Sequence, residues 1–293
     1  MHRWTAFLAA MLASLPATGS PPEPPPADVE EIEDVVVRED DPTWDPSNFP
    51  EIHRIVNVPT ARTTRRNAFL FQVDHRASAP IRANPFRDFF GFDGGTLKIG
   101  LGLRFGAWNG VDVGVSRVSR GSDAFTTWEL DAAWRFLRQE RHHLDLAIRG
   151  GGTWFQQAPL SDSAGGGFAQ LLATRSFFRD RLVISTGVLY HSSSSNETKS
   201  DADPAWSIAI PGALEGRPLT WLALGFEVIG PVAGYRSRYP AMAGSVKFVT
   251  HRHHFAILVS DTPYLSADGI VPGSDRGIRD VLIGFAISRE LHL

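Results

Sequence analysis

The chain has 293 residues, no cysteine and a formal net charge of −3. The lack of cysteine excludes thiol catalysis, cysteine-ligated metal sites and a lipid anchor on an N-terminal cysteine. No stretch of 18 consecutive apolar residues occurs, which excludes a helical membrane protein, and the basic residues form no stripe of the kind that binds nucleic acid.

Residues 1–52 have the features of an export signal followed by a tail. Arg3 precedes an uncharged apolar run from Trp4 to Leu15, and small residues follow at positions 17–19, which predicts a secretory signal peptide cleaved near Gly19. Residues 20–52 are rich in proline and acidic groups, which oppose compaction, so we expect a disordered periplasmic segment. The predicted organisation is a signal peptide (1–19), this segment (20–52) and one folded domain (53–293).

From residue 68 onward, apolar and polar residues alternate with a period of two. Between Leu97 and Phe105 the odd-numbered positions are large and apolar, whereas the even-numbered positions are lysine, glycine and arginine. Successive side chains of a strand point to opposite faces, so each such segment predicts a strand with one apolar and one polar face. The pattern predicts twelve strands, at 68–77, 95–105, 111–118, 124–137, 142–154, 166–177, 181–192, 205–213, 218–229, 241–250, 253–261 and 279–291.

Three features favour a membrane-spanning barrel over a soluble β-sandwich. Many predicted strands have about ten residues or more, whereas strands of soluble sheets average about 5–6. Their polar faces combine charges with glycines, as a water-filled or tightly packed lumen requires. Short and long connections also alternate, as periplasmic turns and external loops do in outer-membrane barrels. Short turns are predicted at 106–110, 138–141, 178–181, 215–218 and 250–253; longer loops are predicted at 78–94, 155–165, 192–204, 230–240 and 262–277, with a short exception at 119–123.

We therefore predict an all-β fold: a single up-and-down antiparallel transmembrane β-barrel of about twelve strands. Lipid cannot satisfy backbone hydrogen bonds, so a spanning sheet must close on itself. An even number of strands places both termini in the periplasm. The strand at 205–213 contains Pro211, which cannot donate a hydrogen bond to a ladder, so ten or fourteen strands are the alternatives.

Several short segments follow one another in a characteristic order: Ile55–Asn57, Phe69–Arg76, Asp88–Asp93, Leu97–Phe105, His253–Ser260 and Ile283–Arg289. Together they resemble a family of bacterial outer-membrane β-barrels that is catalogued as a domain of unknown function, and the resemblance covers roughly residues 55–293. It implies an outer-membrane barrel and no established activity. The alternating residues that lead to Leu291 and Leu293 also resemble the terminal strand recognised by the barrel-assembly machinery, although that signal usually ends in an aromatic residue.

The polar faces of the predicted strands carry charged residues that we expect to line the lumen. Mutual ion pairing would fill a narrow barrel, whereas a conducting channel needs an unblocked cationic or anionic track, and the sequence leaves both open. The residues are Lys98, Arg104, Arg135, Arg149, Lys247, Asp112, Glu129, Asp131, Asp145 and Glu227.

Two other segments are candidate sites. Four phenylalanines in the loop at 84–93 are costly to leave in water, so this loop is expected to plug the barrel mouth or to act as a constriction or ligand lid. At the outer rim, His191 lies beside Ser193 and Asn196, which resembles the base, nucleophile and orienting group of outer-membrane lipid hydrolases. The alternative is a polar strand end leading into a serine-rich loop. The candidate loop residues are Phe86, Arg87, Asp88, Phe89, Phe90 and Asp93.

We predict a non-enzymatic outer-membrane protein, either a small channel for an unidentified solute or a structural or binding protein. A rim lipid hydrolase using His191 is the second hypothesis, and a soluble secreted β-sandwich is the third. The expected partners are outer-membrane lipid and the barrel-assembly machinery, with no nucleic acid. No cofactor or metal is predicted, because the paired histidines at 142–143 and 253–254 have no carboxylate or cysteine to complete a metal site.

Overall fold

The structure is a computed structural model, and it describes residues 52–77, 80, 97–119, 126–156, 163–194, 199–200, 202–250 and 253–292. The predicted signal peptide and all but the last residue of the predicted tail lie outside the described residues. So do the candidate residues Phe86, Arg87, Asp88, Phe89, Phe90, Asp93 and Asn196.

Twelve strands of the described chain form one closed antiparallel barrel. Each strand pairs with its neighbours in sequence, and β12 pairs with β1 to close the sheet. The predicted up-and-down barrel is confirmed, and the alternative of a soluble sandwich is wrong. The strands are β1 (Ala68–Ala77), β2 (Leu97–Trp108), β3 (Val111–Ser119), β4 (Thr126–Leu137), β5 (Asp145–Gln156), β6 (Ser163–Phe177), β7 (Leu182–His191), β8 (Ser207–Leu219), β9 (Leu222–Gly234), β10 (Ala241–Thr250), β11 (His253–Ser260) and β12 (Leu282–His292).

The alternation in the sequence sorts side chains between lipid and lumen. Along β4, Leu130 and Trp134 are 56% and 52% exposed on the outside, whereas Asp131 and Ala133 between them are buried inside. Because every second residue of a strand faces the same way, the outside of the closed sheet is an apolar surface that suits acyl chains. Closure also leaves no free strand edge, as a bilayer requires.

The two ends of the barrel differ in their connections. At one end, the short-turn end, Gly110 has a φ of 84°, and a Cβ there would lie 2.9 Å from the Arg135 carbonyl oxygen, so this turn requires glycine. The short-turn end carries connections at 109–110, 138–144 with the helix α1 (Gln139–His142), 178–181, 220–221 and 251–252. The opposite end, the long-connection end, carries those at 78–96, 120–125, 157–162, 192–206, 235–240 and 261–281.

The turn predicted at 215–218 is wrong. β8 continues to Leu219, and the turn follows it. Pro218 is accommodated because the β8–β9 register shifts between Gly216 and Leu219, so the ladder does not need the missing N–H.

Pro211, which placed the eighth strand in doubt, lies inside β8. It pairs with Ile229 of β9, whereas the pairing with β7 is interrupted beside it. Its carbonyl oxygen accepts a hydrogen bond of 2.9 Å from Thr186 Oγ1 of β7. A side chain thus replaces part of the ladder that proline cannot form.

The residues before β1 form a hairpin inside the barrel, the lumen hairpin (residues 52–67). Two backbone hydrogen bonds close it, from Ile55 N to the Val58 carbonyl oxygen (3.0 Å) and from Thr60 N to the His53 carbonyl oxygen (2.9 Å). Ile55 and Val58 are each 1% exposed. The hairpin therefore contributes to the interior and not to the wall.

The connection between β11 and β12 (residues 261–281) also turns into the interior, and we call it the lumen loop. The sequence predicts an external loop here, but Tyr264 and Val271 are 5% and 0% exposed. Gly100 of β2 makes room for it, because a Cβ there would lie 3.2 Å from Leu265 Cδ1. The lumen loop contains the helix α2 (Ala267–Ile270) and a 3-10 helix (Ile278–Asp280).

The apolar core lies inside the barrel. It joins the lumen hairpin and the lumen loop to small wall residues such as Ala209, Ala213 and Ala243. Across the described ranges, no helix has the length and apolar character needed to cross a bilayer. Two segments that are not part of the wall thus fill the lumen, and the polar contacts around them form the candidate site.

Candidate functional site in the lumen

The ten charged residues that the sequence places in the lumen all lie on inward-facing strand positions. None of their side chains is fully exposed. A buried charge is costly unless it is paired and hydrogen-bonded, so the partners of these groups show what the interior is built to hold. The partners fall into wall-to-wall networks and contacts with the lumen hairpin or the lumen loop.

The first network joins two arginines and three carboxylates of β2–β5. Arg149 contacts Glu129 at 2.6 Å and Asp131 at 2.8 Å. Arg104 forms an ion pair with Asp131 and contacts Asp112 at 3.2 Å. Each arginine therefore bridges neighbouring acidic groups, and the cluster carries charges of both signs rather than a track of one sign.

The second network is centred on Glu215 of β8, which sequence reasoning missed. Glu215 contacts Lys247 Nζ at 2.5 Å and Arg217 Nε at 3.2 Å, and the Glu215 side chain is 1% exposed. The misplaced turn hid both residues. Continuing the inward alternation of β8 past Ala213 would have found them.

The third network lies at the short-turn end. Asp145 is 3.7 Å from both Arg135 and Arg62, and Arg62 donates to the two oxygens of Asp180 at 3.0 and 2.6 Å. Burial alone would raise the pKa of Asp180, but the hydrogen bonds and charge of Arg62 outweigh it and lower that pKa. Arg62 thus anchors the base of the lumen hairpin to a turn of the wall.

Glu227 of β9 differs from the other lumen acids because it holds the hairpin tip. Its Oε2 accepts hydrogen bonds from the backbone N–H groups of Val56 (3.1 Å), Asn57 (2.7 Å) and Val58 (2.9 Å). Its Oε1 accepts a fourth from Asn57 Nδ2 at 2.5 Å. Three consecutive amides around one carboxylate form an anion-binding concavity, here occupied by a side chain of the wall.

Further wall groups hold the rest of the hairpin. Arg54 forms an ion pair with Asp74 of β1, and its carbonyl oxygen accepts a hydrogen bond from Lys247 Nζ at 3.1 Å. Burial alone would lower the pKa of Arg54, but the Asp74 carboxylate outweighs burial and raises it. Ala61 N donates to Thr174 Oγ1 at 2.8 Å. The hairpin is therefore attached through polar groups of the wall as well as through the apolar core.

The lumen loop is attached in a similar way. Glu129 Oε2 accepts a hydrogen bond from Ala267 N at 2.9 Å. Lys98 Nζ lies 4.6 Å from the centre of the Tyr264 ring, a cation–π contact. Two residues predicted to line the lumen thus serve as anchors for a segment whose burial was not predicted.

A cavity of about 110 Å³ lies between the lumen hairpin, the lumen loop and strands β1–β9. This volume holds several water molecules. Its lining combines charges of both signs with Gln170, whose buried Oε1 has no hydrogen-bond partner among the residues that the structure describes. The charged lining residues are Arg54, Asp74, Arg104, Glu129, Asp131 and Arg149.

His191 lies inside the barrel, 0% exposed, and both of its ring nitrogens are engaged. Nδ1 accepts a hydrogen bond from Ser193 N at 3.0 Å, so Nε2 carries the proton and donates to Thr153 Oγ1 at 2.9 Å. Neither nitrogen is free to activate the Ser193 hydroxyl as a base would. Among the described residues, no three His, Asp or Glu side chains are grouped to bind a metal ion.

Comparison with known proteins identifies a family of membrane barrels. Residues 51–291 match a family model described as a membrane-bound β-barrel domain (DUF5777). Similar solved structures include the KdgM porin (10% identity, 77% of this chain, 99% of that chain, TM-score 0.45) and the outer membrane phospholipase A from Escherichia coli (11%, 78%, 91%, 0.42). Omp33 of Acinetobacter baumannii is also similar (11%, 78%, 100%, 0.38). No curated protein sequence matches the chain.

Proposed function

Because the chain belongs to the membrane-bound β-barrel family DUF5777, and is an outer-membrane β-barrel, we propose that it is a channel for small polar solutes that its own lumen hairpin keeps closed at rest. The observation that carries the proposal is that Glu227 accepts hydrogen bonds from three consecutive backbone amides of the hairpin. Residues 52–65 of the hairpin form no strand of the wall, so their withdrawal breaks no pairing between the twelve strands.

The wall groups around the hairpin support this proposal. Asp74, Lys247 and Glu227 are charged, and Thr174 carries a hydroxyl. Groups of this kind are readily hydrated, so these parts of a vacated lumen would be lined by groups that water satisfies. A barrel that served only as a scaffold could fill the same space with apolar side chains of the wall.

We place the short-turn end in the periplasm, because outer-membrane barrels have short periplasmic turns and long external loops. Both β1 and β12 then begin or end on the periplasmic side. A signal peptide over 1–19 would be removed on export, and a periplasmic segment over 20–52 would lead into the hairpin. The assembly machinery would engage β12 during insertion.

A disulfide between hairpin and wall tests the closure, since the chain has no native cysteine. Ala61→Cys with Thr174→Cys joins positions whose backbone nitrogen and hydroxyl are 2.8 Å apart. In planar bilayers, with Glu227→Gln added to loosen the hairpin, we expect silence after oxidation and openings after reduction. Openings that ignore the redox state would refute the hairpin as the closure.

A matched control places the disulfide within the wall. Ser207 of β8 and Ser194 beside the end of β7 have hydroxyl oxygens 2.8 Å apart and bond to the Tyr235 and Ala205 carbonyl oxygens, so Ser194→Cys with Ser207→Cys forms a bridge away from the hairpin. Its conductance should not respond to reduction. Silence of the reduced hairpin variant at every voltage would overturn the channel proposal itself.

A further inference from the structure

Arg76 of β1 connects the two segments that fill the lumen, although it belongs to neither. Its Nη2 donates to Asn57 Oδ1 at the hairpin tip. Its Nη1 donates to the carbonyl oxygens of Thr262 (3.2 Å) and Tyr264 (3.1 Å) in the lumen loop. The side chain is 1% exposed. One buried guanidinium therefore binds the lumen hairpin and the lumen loop at once.

We infer that Arg76 couples the lumen hairpin to the lumen loop. Withdrawal of the hairpin from the short-turn end then releases the loop at the long-connection end. The guanidinium is a planar fork whose donors have fixed relative directions. If the Asn57 oxygen leaves, one arm of a buried cation loses its acceptor, which is costly. Turning that arm toward another acceptor or water moves the other arm off the Thr262 and Tyr264 oxygens.

The hairpin side of the link is held in one orientation. The Asn57 amide donates through its nitrogen to Glu227 and accepts through its oxygen from Arg76, so flipping it would break both contacts. Glu227, Asn57 and Arg76 thus form a chain of charge-assisted hydrogen bonds that ends on the loop backbone. A displacement of the hairpin tip is transmitted along this chain.

The coupling is reciprocal, because a free-energy link between two sites acts equally in both directions. An external ligand that draws the lumen loop outward would also weaken the binding of the hairpin to the wall. The inference rests on the hairpin being displaceable, as proposed above, but it does not require the open barrel to conduct. Accessibility of each segment can therefore be measured apart from conductance.

A loop reporter tests the link. Ser266→Cys introduces the sole cysteine of the chain at a loop position that is 3% exposed. Full-length protein in liposomes is treated with a membrane-impermeant maleimide, and the labelling rate is measured with and without Asn57→Ala. We expect Asn57→Ala to speed loop labelling by about tenfold, which corresponds to the loss of one charge-assisted hydrogen bond.

Arg76→Met separates coupling from general loosening. It should speed labelling of Ser266→Cys on its own, and adding Asn57→Ala should then change nothing further, because the link is already broken. Ser207→Ala is the control, since it removes buried hydrogen bonds that involve neither the lumen hairpin nor the lumen loop. It should leave the rate unchanged.

Two outcomes would overturn the inference: no effect of Asn57→Ala on loop labelling, or effects of Asn57→Ala and Arg76→Met that multiply. If Arg76→Met does not fold, as judged by the loss of the heat-dependent gel shift of a folded barrel, the reciprocal experiment tests the coupling instead. Ser274→Ala loosens the loop by removing hydroxyl bonds to loop carbonyls, and a Val58→Cys reporter in the hairpin should then label faster. An unchanged Val58→Cys rate would refute coupling, whatever the conductance shows.

Discussion

Replacing Glu227 with glutamine should release the lumen hairpin without breaking the wall. The carboxylate is 1% exposed and accepts four hydrogen bonds, all from Val56, Asn57 and Val58. Glutamine keeps the shape of the side chain but removes its charge and one acceptor oxygen. The amide nitrogen that replaces this oxygen faces the Asn57 side-chain nitrogen or the three backbone amides, so two donors oppose each other in either orientation.

The size of the effect follows from these contacts. A hydrogen bond to a charged group contributes about 1.5–3 kcal/mol and a neutral one about 0.5–1.5 kcal/mol. Removing a buried carboxylate also removes its desolvation cost, which offsets part of the loss. The free energy that holds the hairpin in the lumen is therefore expected to fall by about 1–3 kcal/mol. This loss increases the released fraction about 5- to 150-fold.

Maleimide labelling of Val58→Cys measures this release, because Val58 is 1% exposed while the hairpin is seated. Asp131→Asn is the matched control, since Asp131 pairs with Arg104 and Arg149 of the wall and has no hydrogen bond to the hairpin. Glu227→Gln should speed labelling well beyond this control. A change of less than twofold would refute the idea that Glu227 holds the hairpin.

Three further outcomes are expected. Leu171→Arg, on the outer face of β6 where Leu171 is 47% exposed, should cost about 2–4 kcal/mol of stability in denaturant titrations of lipid-inserted protein, and Leu171→Ala much less. Arg149→Met removes a buried guanidinium from Glu129 and Asp131. The temperature at which the folded band is lost on gels should therefore fall by an amount equivalent to about 3–5 kcal/mol of stability. An unchanged temperature would contradict the pairing. Burial raises the pKa of Asp261 from 3.8 to about 6, so the closed loop favours the protonated acid and loses stability as pH rises through that interval. Labelling of Ser266→Cys, normalised to the unfolded protein, should therefore rise from about pH 4 to 6 and level off, and Asp261→Asn should abolish this rise.

The wall of the barrel could be predicted from the sequence because its signal is periodic. A membrane strand must present an apolar side chain to lipid at every second position, and segments such as Leu97–Phe105 show this directly. The prediction erred at Pro218, where a proline that usually ends a strand lies at a register shift inside β8. A bulge absorbs the missing donor, and no local pattern of residues announces it.

The filling of the lumen could not be predicted in the same way. The lumen hairpin has no period, and its contacts join residues far apart in sequence, such as Asn57 and Glu227. The ten lumen charges could be assigned to the inner face by parity, but parity does not say whether Glu227 meets a cation or a row of backbone amides. The lumen loop gave a weak signal in Ile270 and Val271, apolar residues in a connection otherwise rich in polar residues and glycine.

The position of the lumen hairpin has a consequence for how the protein is built. The hairpin immediately precedes β1, and β1 forms the closing seam with β12, the last strand to be synthesised. Asp74 and Arg76 both lie on β1 and bind hairpin residues, so the strand on one side of the seam carries its interior partners with it. Closure of the seam therefore encloses a segment that β1 already binds, and part of the polar inner face is hydrogen-bonded by residues adjacent in sequence to the closing strand.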